Sequence, residues 1–172
     1  MTESIVAAAQ RWTRVEFAAN YTHFFLVGEP SLQAPRAPMR TMSAFAPALR
    51  SQETIVPGVD EATSTTPARL VVLAVRKRQD MFPEMITVGR TGNNDLVVPD
   101  ATVSKFHAFF KQTGERLDLV DAASRNGTRV NGKAIGAKQP AAVTAGARIR
   151  FGGVDFVLCS AAEAWDAIRI RP

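Results

Sequence analysis

Eight short segments rich in β-branched and aromatic residues follow one another between residues 69 and 160, and they limit the fold more than any other feature of this sequence. Gly, Asn, Asp and Pro separate the segments at close intervals, and no helical period of useful length lies between them. This pattern predicts an all-β fold, an antiparallel sandwich or barrel, because βαβ units would need helices between the strands. The segments are RLVVLAVRKR, MITVGR, DLVVP, HAFFKQ, LDLVD, TRVNG, ARIRFG and VDFVLCS.

The rest of the chain divides into three zones by composition. Residues 1–29 predict two short helices and one strand-like run, with Thr13 and Glu16 forming a capping-box pattern before the second helix. Residues 30–67 hold six of the ten prolines, which indicates a largely disordered linker. After the sandwich at 68–160, residues 161–172 predict a short helical tail with Ser160 as its cap.

Composition excludes several classes of protein. The apolar fraction of 46% is that of a globular chain, and no apolar run approaches the roughly 20 residues that a membrane-spanning helix needs. The single cysteine, Cys159, excludes an intramolecular disulfide, and the N-terminus lacks the pattern of a secretory signal. A cytoplasmic protein that does not associate with membranes is therefore expected.

The positive charge is concentrated in the predicted sandwich. Residues 69–159 hold 14 Lys and Arg against 8 Asp and Glu, a surplus of 6, whereas the whole chain has a net charge of +5. Such a surplus favours an anionic partner, although an ordinary solvated basic surface has the same composition.

Signatures of catalysis are weak. The sequence lacks a phosphate-binding loop with Gly-Lys-Ser/Thr, and one cysteine with two distant histidines does not make a metal site, so no cofactor or metal is expected. Ser104, His107 and Asp100 are not a convincing triad, because triad members normally come from distant segments and act with an oxyanion hole. The sequence therefore predicts a protein that is not an enzyme.

Polar residues at the ends of the predicted strands suggest a binding site instead. They include Gly89 with Arg90, Ser104 with Lys105, and the stretch SRNGTRVNG from Ser124 to Gly132, whose two Asn-Gly pairs each also indicate a tight turn. Arginine offers a planar fork for phosphate oxygens, and serine and lysine add a donor and a charge. Gathered on loops at one end of a rigid sandwich, these residues could bind a phosphate displayed on an extended peptide.

The segments VGRTGNNDLVV, ATVSKFHAFF and LDLVDAASRNGTRVNG resemble a forkhead-associated (FHA) domain, a β-sandwich that reads phosphothreonine peptides. The resemblance covers residues 69–160, and the motifs Gly-Arg, Ser-x-x-His and Asn-Gly occur in the order and at the spacing of that family. It implies that Arg90 and Ser104 bind the phosphate and that Lys105 joins them. It also implies that Asn126 holds the peptide backbone while Arg125 lies against the peptide.

The same resemblance implies a structural role for His107, whose ring would tie the recognition loops together beside Gly89 and Gly127. Within the stretch DATVSKFHAFF, we predict that Phe106, Ala108 and Phe110 share one face and fill the core. The implied function is a phosphothreonine-binding adaptor in Ser/Thr-kinase signalling, whose partners are phosphorylated proteins and a Ser/Thr kinase or its substrates.

Two other functions are consistent with parts of the sequence. A phosphate-independent scaffold could use the same sandwich together with the N-terminal extension. A nucleic-acid binder would explain the charge but lacks an aromatic platform, because Tyr21 and both tryptophans lie outside the basic half. In the linker, Thr54 and Thr63 lie near acidic residues and are candidate phosphorylation sites.

Overall fold

The computed structural model describes residues 5–28, 70–80 and 82–170 of the chain. These residues form short strands in two sheets and three helices. In chain order the elements are α1 (Ile5–Arg11), α2 (Arg14–Asn20), β1 (Phe25–Gly28), β2 (Val71–Ala74), β3 (Ile86–Gly89), β4 (Leu96–Val97), β5 (Ala108–Thr113), β6 (Arg116–Asp121), β7 (Thr128–Val130), β8 (Lys133–Ala134), β9 (Pro140–Val143), β10 (Arg148–Phe151), β11 (Val154–Cys159) and α3 (Ala161–Ile170).

The two sheets confirm the predicted β-sandwich. Sheet A has the strand order β2-β1-β11-β10-β7-β8, and sheet B has the order β4-β3-β5-β6-β9. Neighbouring strands are antiparallel except β3 and β4, which pair in parallel through Val88 with Leu96 and Gly89 with Val97. The fold is therefore an antiparallel sandwich with one parallel pair at the edge of sheet B.

The core lies between the inner faces of the two sheets. Along β10 the residues alternate between exposed and buried, so Ile149 and Phe151 point inward while the arginines on either side point outward. From sheet B, the fully buried residues Phe110 and Leu119 belong to the same core. This alternation is the sequence pattern of a strand with one solvated face.

The N-terminal zone contributes a strand to the interior of sheet A. Strand β1 pairs with β11 on one side and with β2 on the other, so it lies inside the sheet. Its Leu26 belongs to the sandwich core, whereas Phe25 and Val27 face a second apolar cluster. That cluster is completed by the three helices, through residues such as Phe17 and Ala164, so the helices cover the outer face of sheet A at β1.

Local sequence signals explain where the helices begin. Thr13 and Glu16 form the predicted capping box at the start of α2. Ser160 and Glu163 make the same reciprocal contacts before α3, because the Ser160 N–H donates to Glu163 Oε2 (2.8 Å) and the Glu163 N–H donates to Ser160 Oγ (3.4 Å). Each cap satisfies N–H groups that the first turn of a helix leaves without partners.

The two Asn-Gly pairs behave differently. Asn131 and Gly132 have φ values of 50° and 83° and join β7 to β8 as the two-residue hairpin that the sequence predicts. At Asn126 and Gly127 only the glycine has positive φ, at 74°, and the pair ends a longer loop between β6 and β7. Asn126 and Gly127 therefore do not form a hairpin turn.

The prediction for Phe106 is wrong. Ala108 and Phe110 are fully buried in the core as expected, but Phe106 is 41% exposed. Strand β5 begins only at Ala108, so the period-two alternation does not extend back to residue 106. The ring instead lies 6.3 Å from the rings of both Phe82 and Phe109, on the surface.

In the described ranges, none of the helices has both the length and the apolar character needed to cross a membrane. The same residues contain no group of three or more His, Cys, Asp and Glu side chains arranged to hold a metal ion. The proline-rich zone at 30–67, including Thr54 and Thr63, lies outside the described residues, so the expected phosphorylation sites remain predictions.

Candidate functional site

The residues expected to bind a phosphopeptide lie on three loops that meet at one end of the sandwich. Arg90 directly follows β3, and Ser104 and Lys105 lie in the connection from β4 to β5. Arg125 and Asn126 lie in the connection from β6 to β7. Hydrogen bonds to Ser104 and from His107 bring all three loops together.

Ser104 is the meeting point of the loops. The Arg90 N–H donates to the carbonyl oxygen of Ser104 (2.9 Å), which fixes the start of the first loop beside the second. The Arg125 N–H donates to the Ser104 hydroxyl oxygen (3.0 Å), which fixes the third loop. The backbones of both arginines are therefore hydrogen-bonded to the same serine.

His107 supports this arrangement from inside the protein. Its Nδ1 accepts a hydrogen bond from the Ser104 N–H (3.0 Å), and its Nε2 lies 3.2 Å from the carbonyl oxygen of Gly127. Because a carbonyl can only accept, Nε2 must carry the ring proton, so the ring is neutral. The side chain is fully buried, and burial lowers the pKa of His107 despite the opposing effects of Gly127 and Asp121.

Asn126 is held by its amide nitrogen. Its Nδ2 donates to the carbonyl oxygen of Thr102 (2.6 Å), and the Thr102 hydroxyl in turn accepts from the Gly153 N–H (2.8 Å). The side-chain oxygen and one amide hydrogen of Asn126 make no hydrogen bond within the described part of the chain. They remain available to pair with an incoming peptide backbone.

Three cationic residues adjoin Ser104, two through backbone hydrogen bonds and one as its neighbour in the chain. Arg90, Lys105 and Arg125 are all exposed. Their side chains form no hydrogen bond or ion pair with any of residues 5–28, 70–80 and 82–170. Cationic residues whose backbones are anchored beside a hydroxyl group can direct their charges to a compact multivalent anion bound there.

Sequence analysis missed the residues that hold the Lys105 backbone. Asn94 Nδ2 and the Thr91 hydroxyl both donate to the Lys105 carbonyl oxygen, at 2.7 Å and 3.0 Å. Gly89 lies against the same carbonyl so closely that a Cβ at this position would clash with it and with Asn94. The glycine is therefore needed for close approach, and the stretch GRTGNN provides the polar residues that fix the second loop.

Asp121 is a further residue that the sequence did not single out. Its carboxylate accepts hydrogen bonds from the N–H and hydroxyl of Ser124 and from the hydroxyl of Thr128. Burial alone would raise the pKa of Asp121, but these hydrogen bonds outweigh burial and lower it. The carboxylate thus orders the loop that presents Arg125 and Asn126. An Asp three residues before Ser124 is a local turn signal that could have revealed it.

Comparison with known proteins places these loops in a family. The family model described as "FHA domain" matches residues 86–152. The "Oxoglutarate dehydrogenase inhibitor" of Corynebacterium diphtheriae is 32% identical over 110 residues, which cover 57% of this chain and 75% of that protein. The chain belongs to the FHA-domain family. The matched region contains all three loops of the site.

Two further relatives of this FHA-domain chain match shorter regions. The "Oxoglutarate dehydrogenase inhibitor" of Corynebacterium jeikeium is 42% identical over 48 residues, which cover 28% of this chain and 33% of the relative. The "Glycogen accumulation regulator GarA" of Mycolicibacterium smegmatis is 36% identical over 89 residues, which cover 50% and 56%. This chain therefore spans about a third to just over half of the length of these two relatives.

Proposed function

We propose that this chain is a non-enzymatic adaptor that binds phosphothreonine peptides of partner proteins through Arg90, Ser104, Lys105, Arg125 and Asn126. The observation that carries the proposal is the pair of hydrogen bonds to Ser104, from the Arg90 N–H and from the Arg125 N–H. These bonds hold the backbones of the two arginines beside Ser104, which is followed in the chain by Lys105, and they support a shared role for these residues.

The geometry suits a phosphate better than a smaller anion. A phosphothreonine carries about −1.5 to −2 charge at neutral pH and three acceptor oxygens. The Ser104 oxygen already accepts from the Arg125 N–H, so its own proton is free to be donated to one phosphate oxygen. The Arg90 guanidinium can bind two oxygens at once, and Lys105 adds a point charge.

Asn126 supplies a contact to the peptide rather than to the phosphate. With its amide nitrogen held by Thr102, the side-chain oxygen has a fixed position from which it can accept a peptide N–H. A binding mode with one charged anchor and a few backbone contacts gives an affinity of about micromolar, because charge-assisted hydrogen bonds of about 1.5–3 kcal/mol each are partly offset by ordering costs.

An adaptor role agrees with the names of the relatives, which describe an inhibitor and a regulator. By this reasoning the partners of the chain are threonine-phosphorylated proteins, and a Ser/Thr kinase or its substrates would supply them. A reversible phosphate mark read at micromolar affinity is the behaviour expected of a signalling adaptor.

Calorimetry with one peptide in its phosphorylated and unphosphorylated forms tests the proposal, the peptide being selected from a phosphothreonine library. We expect binding only to the phosphorylated form. Arg90→Ala should abolish that binding while leaving the thermal melt unchanged, because removing a phosphate-bound arginine costs about 2–5 kcal/mol. Arg78→Ala, at an exposed arginine outside the three loops, is the matched control and should bind like the wild type.

Equal binding of both peptide forms would contradict the proposal and favour a phosphate-independent scaffold. Unchanged affinity in Arg90→Ala, with phosphate still required, would instead show that the phosphate binds elsewhere on the domain.

A further inference from the structure

The outer face of sheet A is only partly covered. The helices pack on it at β1, where the outward-facing Phe25 and Val27 are buried. On β7 and β10 the outward-facing residues are Arg129, Arg148 and Arg150, and all three are exposed. We refer to these three residues as the arginine face.

The register of the strands places two of these arginines directly opposite each other. Arg129 on β7 pairs with Arg150 on β10, and Arg148 lies two residues along β10 on the same side. Like charges at directly opposite positions in an antiparallel pair destabilise the sheet. An acidic partner for either arginine would offset this repulsion, and in the described residues only Arg150 has one.

Among the residues that the structure describes, one of the three arginines has a carboxylate partner. Asp155 on β11 binds Arg150 with both oxygens, at 2.8 Å to Nε and 2.6 Å to Nη2. Neither Arg129 nor Arg148 has a side-chain hydrogen bond or ion pair among the residues that the structure describes. The arginine face thus presents two free guanidinium groups, each able to bind a carboxylate through two parallel hydrogen bonds.

The arginine face adjoins the candidate phosphopeptide site. Arg129 is three residues after Asn126, so their Cα atoms lie at most about 10 Å apart. The end of β10 is joined to the same loop, because the Gly152 N–H donates to the carbonyl oxygen of Gly127 (3.1 Å). A peptide held by Asn126 can therefore reach the arginine face within about three to six extended residues.

We propose that the arginine face binds a run of Asp or Glu residues in the partner protein whose phosphothreonine occupies the loop site. The proposal rests on the proposed function and adds to it the kind of sequence that the partner carries near its phosphothreonine. The phosphothreonine and the acidic run belong to one partner chain. Binding of the first makes binding of the second intramolecular, so the two weak contacts together increase the affinity of the partner.

Carboxylates fit this surface better than nucleic acid does. The outward residues around the three arginines are Ala134 on β8 and Asp155 and Val157 on β11, so the surface offers no aromatic ring on which a base could stack. Two separated guanidinium forks suit separate carboxylates instead.

Two peptides with the same phosphothreonine core test the proposal, one carrying four Glu and the other four Gln. The extension begins three residues from the phosphothreonine. One Glu/Gln pair of peptides carries it on the N-terminal side, and a second pair carries it on the C-terminal side. At low ionic strength one Glu extension should bind about three- to tenfold more tightly than its Gln counterpart, the gain expected from two or three exposed ion pairs. That gain should disappear at high salt.

The double variant Arg129→Glu/Arg148→Glu should lose the preference for Glu and retain the affinity for the Gln peptide. Arg78→Glu makes the same charge change as each of these substitutions, at an exposed position outside the arginine face. This control variant should keep the preference for the Glu peptide. The double variant should melt close to the wild-type temperature, because both side chains are exposed and surface substitutions change stability little.

A peptide with four Glu and no phosphothreonine separates this proposal from the proposed function. In NMR titrations it should shift the amide signals of Arg129 and Arg148 even if the phosphothreonine core does not bind. Equal affinity for the Glu and Gln extensions, or loss of the preference in Arg78→Glu, would overturn the proposal. Tighter binding of single-stranded DNA than of the Glu peptide, lost in the double variant, would assign the arginine face to nucleic acid instead.

Discussion

A single buried ring connects two of the three loops of the candidate site. His107 binds the Ser104 N–H with one nitrogen and the Gly127 carbonyl oxygen with the other, and its edge faces the ring of Phe151 at 5.8 Å. No part of the ring is accessible to solvent. Its contribution to the site must therefore act through the position of the loops, without direct contact with a ligand.

Replacing this ring should destabilise the protein before it affects binding chemistry. In His107→Ala, the Ser104 N–H and the Gly127 carbonyl lose their partners and a cavity remains, so the free energy of unfolding should fall by about 2–4 kcal/mol. Urea unfolding measures this change. A variant that unfolds like the wild type but no longer binds a phosphopeptide would show that His107 contacts the ligand.

Residues within the Gly-Arg, Ser-x-x-His and Asn-Gly motifs could be predicted, and polar residues outside these motifs could not. The order of Gly-Arg, Ser-x-x-His and Asn-Gly pointed to the three loops that the structure joins. Asp95 shows the limit, because its carboxylate binds the N–H groups of Arg78, Gln79 and Thr87, eight to seventeen residues earlier. Nothing in the sequence around Asp95 indicates those partners.

At the scale of elements, the least predictable feature is the position of β1. The run HFFLVG reads as a strand, but periodicity does not show which strands it pairs with. The structure places β1 between β2, which begins 43 residues after the end of β1, and β11 near the other end of the chain. Helix α3 extends over ten residues of the predicted tail, and its Ala164 and Ile168 are buried in the same apolar cluster as the N-terminal helices.

The placement of β1 predicts that an N-terminal side chain contributes to the stability of the whole sandwich. Leu26 is fully buried in the core between the sheets, so Leu26→Ala should lower the free energy of unfolding by about 2–4 kcal/mol. Val15 on α2 is 78% exposed, and Val15→Ala is the matched control, with an expected change within about 0.5 kcal/mol.

Urea unfolding of both variants, monitored by circular dichroism, makes the comparison. If Leu26→Ala unfolds at the same urea concentration as Val15→Ala, β1 does not belong to the cooperative unit of the sandwich.

For the whole molecule, several buried groups link stability to pH. Burial lowers the pKa of both His23 and His107, and the positive charge of Arg76 lowers the pKa of His23 further. Burial would raise the pKa of Asp95, but hydrogen bonds from the backbone of Thr87 and of the β2–β3 connection, together with Lys77, lower it from 3.8 to about 2. All of these groups bind protons more readily in the unfolded chain than in the folded one.

Stability should therefore fall in two stages as the pH decreases. Because the unfolded histidines take up protons first, the first loss begins near their unfolded pKa of about 6.5. The second begins near pH 4 and continues toward pH 2, where Asp95, only 1% exposed, loses about 2 kcal/mol of stabilisation. Free energies of unfolding in urea at pH 7.5, 5.5 and 3 should decrease in that order.

A His23 variant distinguishes the histidines from the general repulsion that grows as a basic protein gains protons. His23 packs against the rings of Tyr21 and Phe25, and its Nε2 is buried without a hydrogen-bond partner within the described ranges. His23→Phe keeps the ring packing and cannot take up a proton. The variant should therefore lose less stability than the wild type between pH 7.5 and 5.5, while the loss between pH 5.5 and 3 stays the same. An equal loss in the first interval would mean that His23 does not contribute to the first stage.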